Sequence, residues 1–276
     1  VRSALALIRV SFLTAASYRL AMFVSVAGLA LQIVPTYFIG RTLDPFMAPA
    51  IRGQGSDFFG FLVVGTIAYL LLAASVDALP RALERGIATG TLELIFSTPS
   101  STASLLLGLT GYELLWTAAR CLVVLGAAAT FGFHAHWSRI PEAAAILALV
   151  VATYFGVGMI AGAMIVAFRR TAALQTVVIV GSAMFGGVTY PPSLVTAAVS
   201  RYSNAPDWIG RLVEIVPLTY GLRAVRRLTI DGAPLRAVLG DVGTLAMFCL
   251  VFLAAGSVAM AYALRRARAE GTLSQY

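Results

Sequence analysis

Lysine is absent from this chain of 276 residues; all 20 of its strongly basic side chains are arginine. Charge of either sign is scarce, at 12% of residues, while 59% are apolar and the mean hydropathy is +0.88. A soluble domain must keep a polar exterior, so this composition excludes one and makes the chain integral to a membrane. The arginines fall in small groups at the ends of apolar runs. They are not gathered on one polar domain, which excludes a nucleic-acid-binding footprint and matches charge placed at membrane surfaces. Cysteine is almost absent: Cys121 and Cys249 both lie within apolar runs and read as core residues, not a disulfide. The two histidines, His134 and His136 in FGFHAHWSRIP, have no evident third ligand and read as polar residues near the lipid headgroups, not a metal site. Catalytic signatures are missing as well. There is no GxxxxGK[ST] loop, HExxH, CxxC or GxSxG, so no catalytic residue or metal ligand is assigned, and ATP is not held here by a P-loop. No internal repeat, low-complexity tract or soluble domain stands out. No cleavable signal peptide is expected, since the first stretch carries arginine at both ends and runs into a long apolar segment.

What is present is a series of long uncharged runs. A spanning helix needs about 20 mostly apolar residues, and six segments supply them: 20–40, 58–76, 104–133, 143–168, 171–190 and 242–264. The third is interrupted by Glu113 and Arg120, and the fifth is ended by Pro191-Pro192. The expected fold is all-α and integral to the membrane, a single transmembrane domain over 1–276. Residues 1–19 are too short and too basic to span. Their Leu5, Ile8, Phe12 and Ala15 repeat at helical spacing, which predicts an interfacial helix. Six spans put both termini on one side. With the N-terminus inside, Arg2, Arg9, Arg19, Arg81, Arg85, Arg169, Arg170, Arg265, Arg266 and Arg268 are cytoplasmic. Arg41, Arg52 and Arg139 then lie outside, together with the arginines between Arg201 and Arg236. The positive-inside rule favours this orientation if segment 191–240 is not an ordinary loop. Its Trp208, Leu212 and Ile215, the break at Pro217 and the apolar spacing beyond predict two short outer helices, amphipathic or re-entrant.

Glu113 and Arg120 are seven residues apart, two helical turns, and so share a face of the third span. A charge at the bilayer centre costs about 2.5–3.5 kcal/mol on insertion scales, so both should face protein or water. They read either as a gating or transport-path pair or as an anchor between helices. Gly156, Gly158 and Gly162, and then Gly181, Gly186 and Gly187, enrich the fourth and fifth spans in small residues. The GxxxG of Gly158 and Gly162 is expected to serve packing within the chain.

The polar stretch ERGIATGTLELIFSTPSS, residues 84–101, stands between two spans. Asp77 to Phe96 reads as a helix continuing inward from the second span, with Pro80 near its start and Pro99 ending it. Within 77–101 the polar Arg81, Glu84, Arg85, Thr89 and Glu93 alternate with apolar Leu83, Ile87, Leu92 and Ile95. One face can pack on the bundle while the other meets a partner.

GTLELIFSTPSS resembles the GTLE-x-x-x-x-[ST]-P pattern of ABC-2 type transporter permeases, and VPLTYGLRAVRRL, residues 216–228, resembles their Pro-Leu-Thr-x-x-x-x-x-x-Arg stretch. PDWIGRLVEIVPLTY is similar to their outer helices, and the likeness extends over essentially the whole chain. The resemblance implies a bacterial plasma-membrane exporter subunit with both termini cytoplasmic. Its coupling segment would be Gly90, Thr91, Leu92, Glu93 and Pro99, with Glu84 and Arg85 added by position. That segment would dock into an ATP-binding subunit, present in two copies, with ATP and Mg on those subunits and no cofactor here. A second permease, identical or paralogous, completes the assembly. Acids that many relatives carry just before the GTLE glycine are missing: Gly86, Ala88 and Thr89 stand there, and Glu84 is the nearest. By the same resemblance the path is lined by spans one, two and five, whose bulky residues are Phe23, Tyr37, Phe38, Phe61, Met184, Phe185 and Tyr190. These carry no charge cluster, so an apolar or amphipathic cargo is expected: a drug-like natural product, a lipid or a lipid-linked molecule. The alternatives are a proton-coupled secondary transporter using Glu113, an intramembrane enzyme, or a purely structural subunit.

Overall fold

A computed structural model of the chain describes residues 2–55, 57–91, 102–168, 172–194 and 213–269. Among the described residues there is no strand, and eight helices carry the architecture. They are α1 (Arg2–Ser17), α2 (Arg19–Met47), α3 (Phe58–Ala88), α4 (Thr102–Thr130), α5 (Ile140–Phe168), α6 (Ala172–Phe185), α7 (Pro217–Thr229) and α8 (Leu239–Ala269). Five of these, α2, α3, α4, α5 and α8, are long and apolar enough to cross a membrane. The chain is thus a multi-pass, all-helical membrane protein. The segment expected to be the fifth of six spans is represented by α6, with 14 residues. At about 1.5 Å per residue it covers about 21 Å of a hydrocarbon core about 30 Å thick. Beyond Phe185 the chain turns at Gly187, which takes φ +80°.

The third helix, α3, is the central element. It packs against α2, α4, α5, α6 and α7, and its near-continuous run of apolar residues is what burial on all sides requires. Two carboxylates start it: Asp57 accepts a hydrogen bond from the Gly60 amide at 3.0 Å, and Asp44 accepts one from the Phe58 amide at 2.9 Å. Those are two of the four amide groups that a helix start leaves without internal partners. One apolar cluster fills the middle of the bundle from Ile33 to Leu245. A second, built on Leu79, Leu83, Leu105, Met159, Met260 and Leu264, lies at the end of α3 where the polar stretch begins.

Small residues set how closely α5 approaches its neighbours. A methyl group on Gly158 would stand 2.6 Å from the Ser75 carbonyl oxygen of α3, and one on Gly156 would stand 2.5 Å from the Phe252 backbone of α8. Gly162 faces Leu79 and Leu83 on one side and Met260 on the other. The GxxxG pair therefore serves packing within the chain, as dense small-residue contacts do between apolar helices. Cys121 and Cys249 are free and buried.

Within segment 191–240, α7 is lodged against α3, α5, α6 and α8, and most of its residues are buried. Its first turn opens with Pro217 at a position where the missing N–H costs nothing. The companion helix expected around Trp208 and Leu212 lies outside the described residues, which resume with a single helical turn at 213–215.

Candidate functional site

The polar ridge at the end of α3 follows from helical spacing. Arg81, Glu84, Arg85, Ala88 and Thr89 are exposed, while Leu79, Pro80, Ala82, Leu83 and Gly86 are buried. These two sets are opposite faces of one helix. The apolar face rests on the second cluster, so the ridge is carried by a packed element and not by a free loop. Arg81 pairs with Asp77 one turn back, and Arg85 donates through Nε to the Arg81 carbonyl at 3.2 Å.

The helix ends earlier than Phe96, and glycine is the reason. Gly90 takes φ +66°, which an L side chain adopts only at a cost. The Gly90 amide donates to the Ile87 carbonyl and the Thr91 amide to the Gly86 carbonyl, each at 3.0 Å. That is the paired bonding of a Schellman stop. The hydroxyls of Thr89 and Thr91 meet at 2.8 Å, and Thr89 also donates to the Arg85 carbonyl at 2.8 Å. Of the residues assigned to the coupling segment, Glu84, Arg85, Gly90 and Thr91 are exposed at this end. Leu92, Glu93 and Pro99 lie outside the described residues.

Glu113 and Arg120 meet in α4, at 3.6 Å. Arg120 also donates to the Thr117 hydroxyl at 2.7 Å. Both side chains are partly buried, at 29% and 21% exposure, and each gives the other the partner that an intramembrane charge requires.

Of the aromatic residues assigned to a path, Tyr37 and Phe38 are in edge contact, with ring centroids 5.7 Å apart. Tyr37 packs on Phe59 and Phe131, each at 5.3 Å between ring centroids, and Arg41 lies 5.6 Å above its ring. Phe23, Phe38 and Met184 are exposed, and Phe185 and Tyr190 are half-buried. Phe61 is fully buried and lies beneath Arg226.

Arg226 closes the Pro-Leu-Thr-x-x-x-x-x-x-Arg stretch that begins at Pro217. It is fully buried. Its Nη1 donates to the Gly187 carbonyl at 2.9 Å, and its Nη2 donates to Phe61 at 3.0 Å and Val188 at 3.1 Å. Three acceptors from the end of α6 and the start of α3 thus hold one cation of α7. The guanidinium suits this work because its donors are fixed in one plane. Gly65 makes room for it, since a side chain there would collide with the Val188 carbonyl. A signal was present in the sequence: Leu218, Leu222, Val225, Arg226 and Thr229 fall on one face at helical spacing, with the arginine inside the apolar stripe.

The neighbouring arginines are used differently. Arg223 pairs with Asp241 at 3.1 Å, and Arg227 donates to the Ala237 carbonyl at 3.1 Å. His136 joins the loop to α7 through its backbone amide, 2.9 Å from the Thr229 carbonyl. Burial pushes the nearby Asp231 carboxyl above the ordinary range, against the opposing pull of Arg227 and His136. Among the described residues no three His, Cys, Asp or Glu side chains are placed to hold a metal ion.

No family model matches the chain. It is similar to Nodulation protein J of Sinorhizobium fredii (strain NBRC 101917 / NGR234), 24% identical over 185 residues. That match covers 65% of this chain and 65% of the relative's length.

Proposed function

We propose that this chain is the transmembrane permease subunit of an ATP-driven exporter of the ABC-2 type. In this reading two permeases, identical or paralogous, pair with two ATP-binding subunits that carry the ATP and Mg. Nucleotide binding favours one arrangement of the spans over another, and the difference in affinity between the two arrangements sets how far the population moves. The cargo is apolar or amphipathic: a drug-like natural product, a lipid or a lipid-linked molecule. It leaves the cytoplasm or the inner leaflet of a bacterial plasma membrane, with both termini of the chain cytoplasmic and the spans at 20–40, 58–76, 104–133, 143–168, 171–190 and 242–264.

One observation carries the reading. The polar ridge of Arg81, Glu84 and Arg85 stands exposed on the packed end of α3, and the GTLE-to-proline motif begins at its stop, Gly90. A lever needs both a stiff arm and an exposed surface for its partner. The distant likeness to Nodulation protein J points the same way. The rival reading is a proton carrier working through Glu113, whose carboxylate is paired with Arg120 at 3.6 Å.

The test is a pull-down of the tagged chain from mild detergent, with identification of the copurifying protein and an ATPase assay, comparing wild type with Glu93→Arg and Glu84→Arg. An ATP-binding subunit held by wild type and lost from the variants supports the lever. A folded chain that carries no such partner in detergent or nanodiscs overturns it and makes Glu113→Gln the next experiment.

A further inference from the structure

Between α4 and α5 lies a cavity of about 390 Å³. These helices follow one another in the chain, yet α4 packs mainly on α1, α2 and α3, and α5 mainly on α3, α7 and α8. Ala118 on α4 and Ala144 and Ala148 on α5 face the space, and their small size keeps it open. Ile67 of α3 and Phe133 also line it. The polar groups in the lining are already spent: Thr229 donates to the Val225 carbonyl at 2.8 Å, and the Cys121 thiol points to the Ile67 carbonyl at 3.8 Å. Leu115 and Leu122, at 62% and 69% exposure, mark a mouth that opens sideways, toward the bilayer.

An apolar cavity of this kind does not hold water, and left empty its walls forfeit their dispersion contacts. What fills it must be without unpaired hydrogen-bonding groups. An acyl chain meets that requirement and is the material surrounding a spanning protein. The connection between α4 and α5, which gives Phe133 and Ala135 to the lining, carries the side chains of a headgroup layer: Trp137 is exposed at 60%, His134 is exposed, and Arg139 is partly exposed beside Glu142. An amphipathic ring and a guanidinium at one level match the ester and phosphate region of a phospholipid.

We propose that the cleft between α4 and α5 is a binding site for one acyl chain of a bilayer phospholipid, with the phosphate at the level of Trp137 and Arg139. The site is separate from the residues assigned to a cargo path: none of Tyr37, Phe38, Phe61, Met184, Phe185 or Tyr190 lines it. It does not depend on the ATP-driven reading, because a resident lipid is bound whether or not the chain transports.

The experiment uses the full chain in vesicles of phosphatidylcholine and phosphatidylglycerol, doped with phosphatidylcholine carrying a diazirine near the end of one acyl chain. After irradiation, labelled residues are mapped by mass spectrometry. Label is expected to concentrate on residues 114–125 and 143–151. Ala144→Trp fills the cleft and should remove most of that label, while label on the exposed Leu250 and Val258 of α8 persists. Ala118→Leu is a milder filling and serves if the tryptophan variant fails to fold. The proposal is overturned if label follows exposure alone, with α8 marked as strongly as the cleft, or if neither filling variant changes the pattern. It is equally overturned if Ala144→Cys joins readily to a second copy through a disulfide, since the cleft is then an interface between chains.

Discussion

The guanidinium of Arg226 lies 3.3 Å from the centroid of the Phe61 ring, and the same side chain donates to the Phe61 carbonyl at 3.0 Å. The contact joins residues 165 positions apart. With the bonds to Gly187 and Val188 it fastens α7, the end of α6 and the start of α3 into one body. Removing the cation leaves three carbonyls short of a partner in a place water does not reach easily. Arg226→Met should therefore destabilise the chain by about 1.5–3 kcal/mol, the range for hydrogen bonds to a charged group. Arg226→Lys should recover only part of this, because an ammonium cannot present donors in the same plane. Thermal melting of the three proteins in one detergent checks the order: wild type, then Lys, then Met.

Gly158 offers a cleaner steric test. The carbonyls of Ser75 and Val76 would stand 2.6 Å and 3.0 Å from a methyl group on it. Both are backbone atoms of α3 and cannot rotate aside, so α3 and α5 must part. Gly158→Ala should cost about 1–3 kcal/mol, the usual range for overpacking. Gly243→Ala, where an added methyl meets open space on α8, should leave the melting temperature near wild type.

The spans were legible because uncharged runs of the right length are a direct consequence of bilayer thickness, and α2, α3, α4, α5 and α8 rise from such runs. The pairing of Glu113 with Arg120 was legible for a similar reason, as seven residues make two turns of any helix. Two other features depended on tertiary packing. The length of the fifth apolar run counted residues up to Pro191, but the helix stops at Phe185, where Arg226 takes up the carbonyls just beyond. The cleft between α4 and α5 could not be read at all, since it arises from two helices leaning on different neighbours. The stop at Gly90 sits between these cases. Glycine is the ordinary helix terminator, yet the apolar pattern continuing to Phe96 favoured a longer helix and hid the signal.

That stop can be measured. At φ +66° Gly90 relieves a strain that alanine would suffer, worth about 1–2 kcal/mol for an L residue in the left-handed region. Gly90→Ala should loosen the bond from the Thr91 amide to the Gly86 carbonyl. Hydrogen exchange at Thr91 is then expected to accelerate, on the order of tenfold if about 1.4 kcal/mol is lost. Exchange in the middle of α3 should stay unchanged. Gly90→Asn should fall between the two, since asparagine tolerates the left-handed region better than alanine.

The role of the intramembrane pair is decided by a double-mutant cycle. Glu113→Gln and Arg120→Gln each leave one charge in α4 without its partner at 3.6 Å, and an unpaired charge among apolar helices is costly. The double variant removes both charges together. If the pair is an anchor, the double variant should melt above either single, with a coupling of about 1 kcal/mol or more. If Glu113 instead cycles as a proton site, Arg120→Gln should shift the pH profile of transport, and Glu113→Gln should abolish transport while binding of an ATP-binding subunit is unaffected. The anchor is the expected result. Arg120 is held a second time by the Thr117 hydroxyl at 2.7 Å, which fixes its position whether or not the carboxylate is charged. Arg120→Leu separates the two readings as well: a variant that keeps that subunit bound and alters transport points to a gating pair, and one that merely fails to fold points to the anchor.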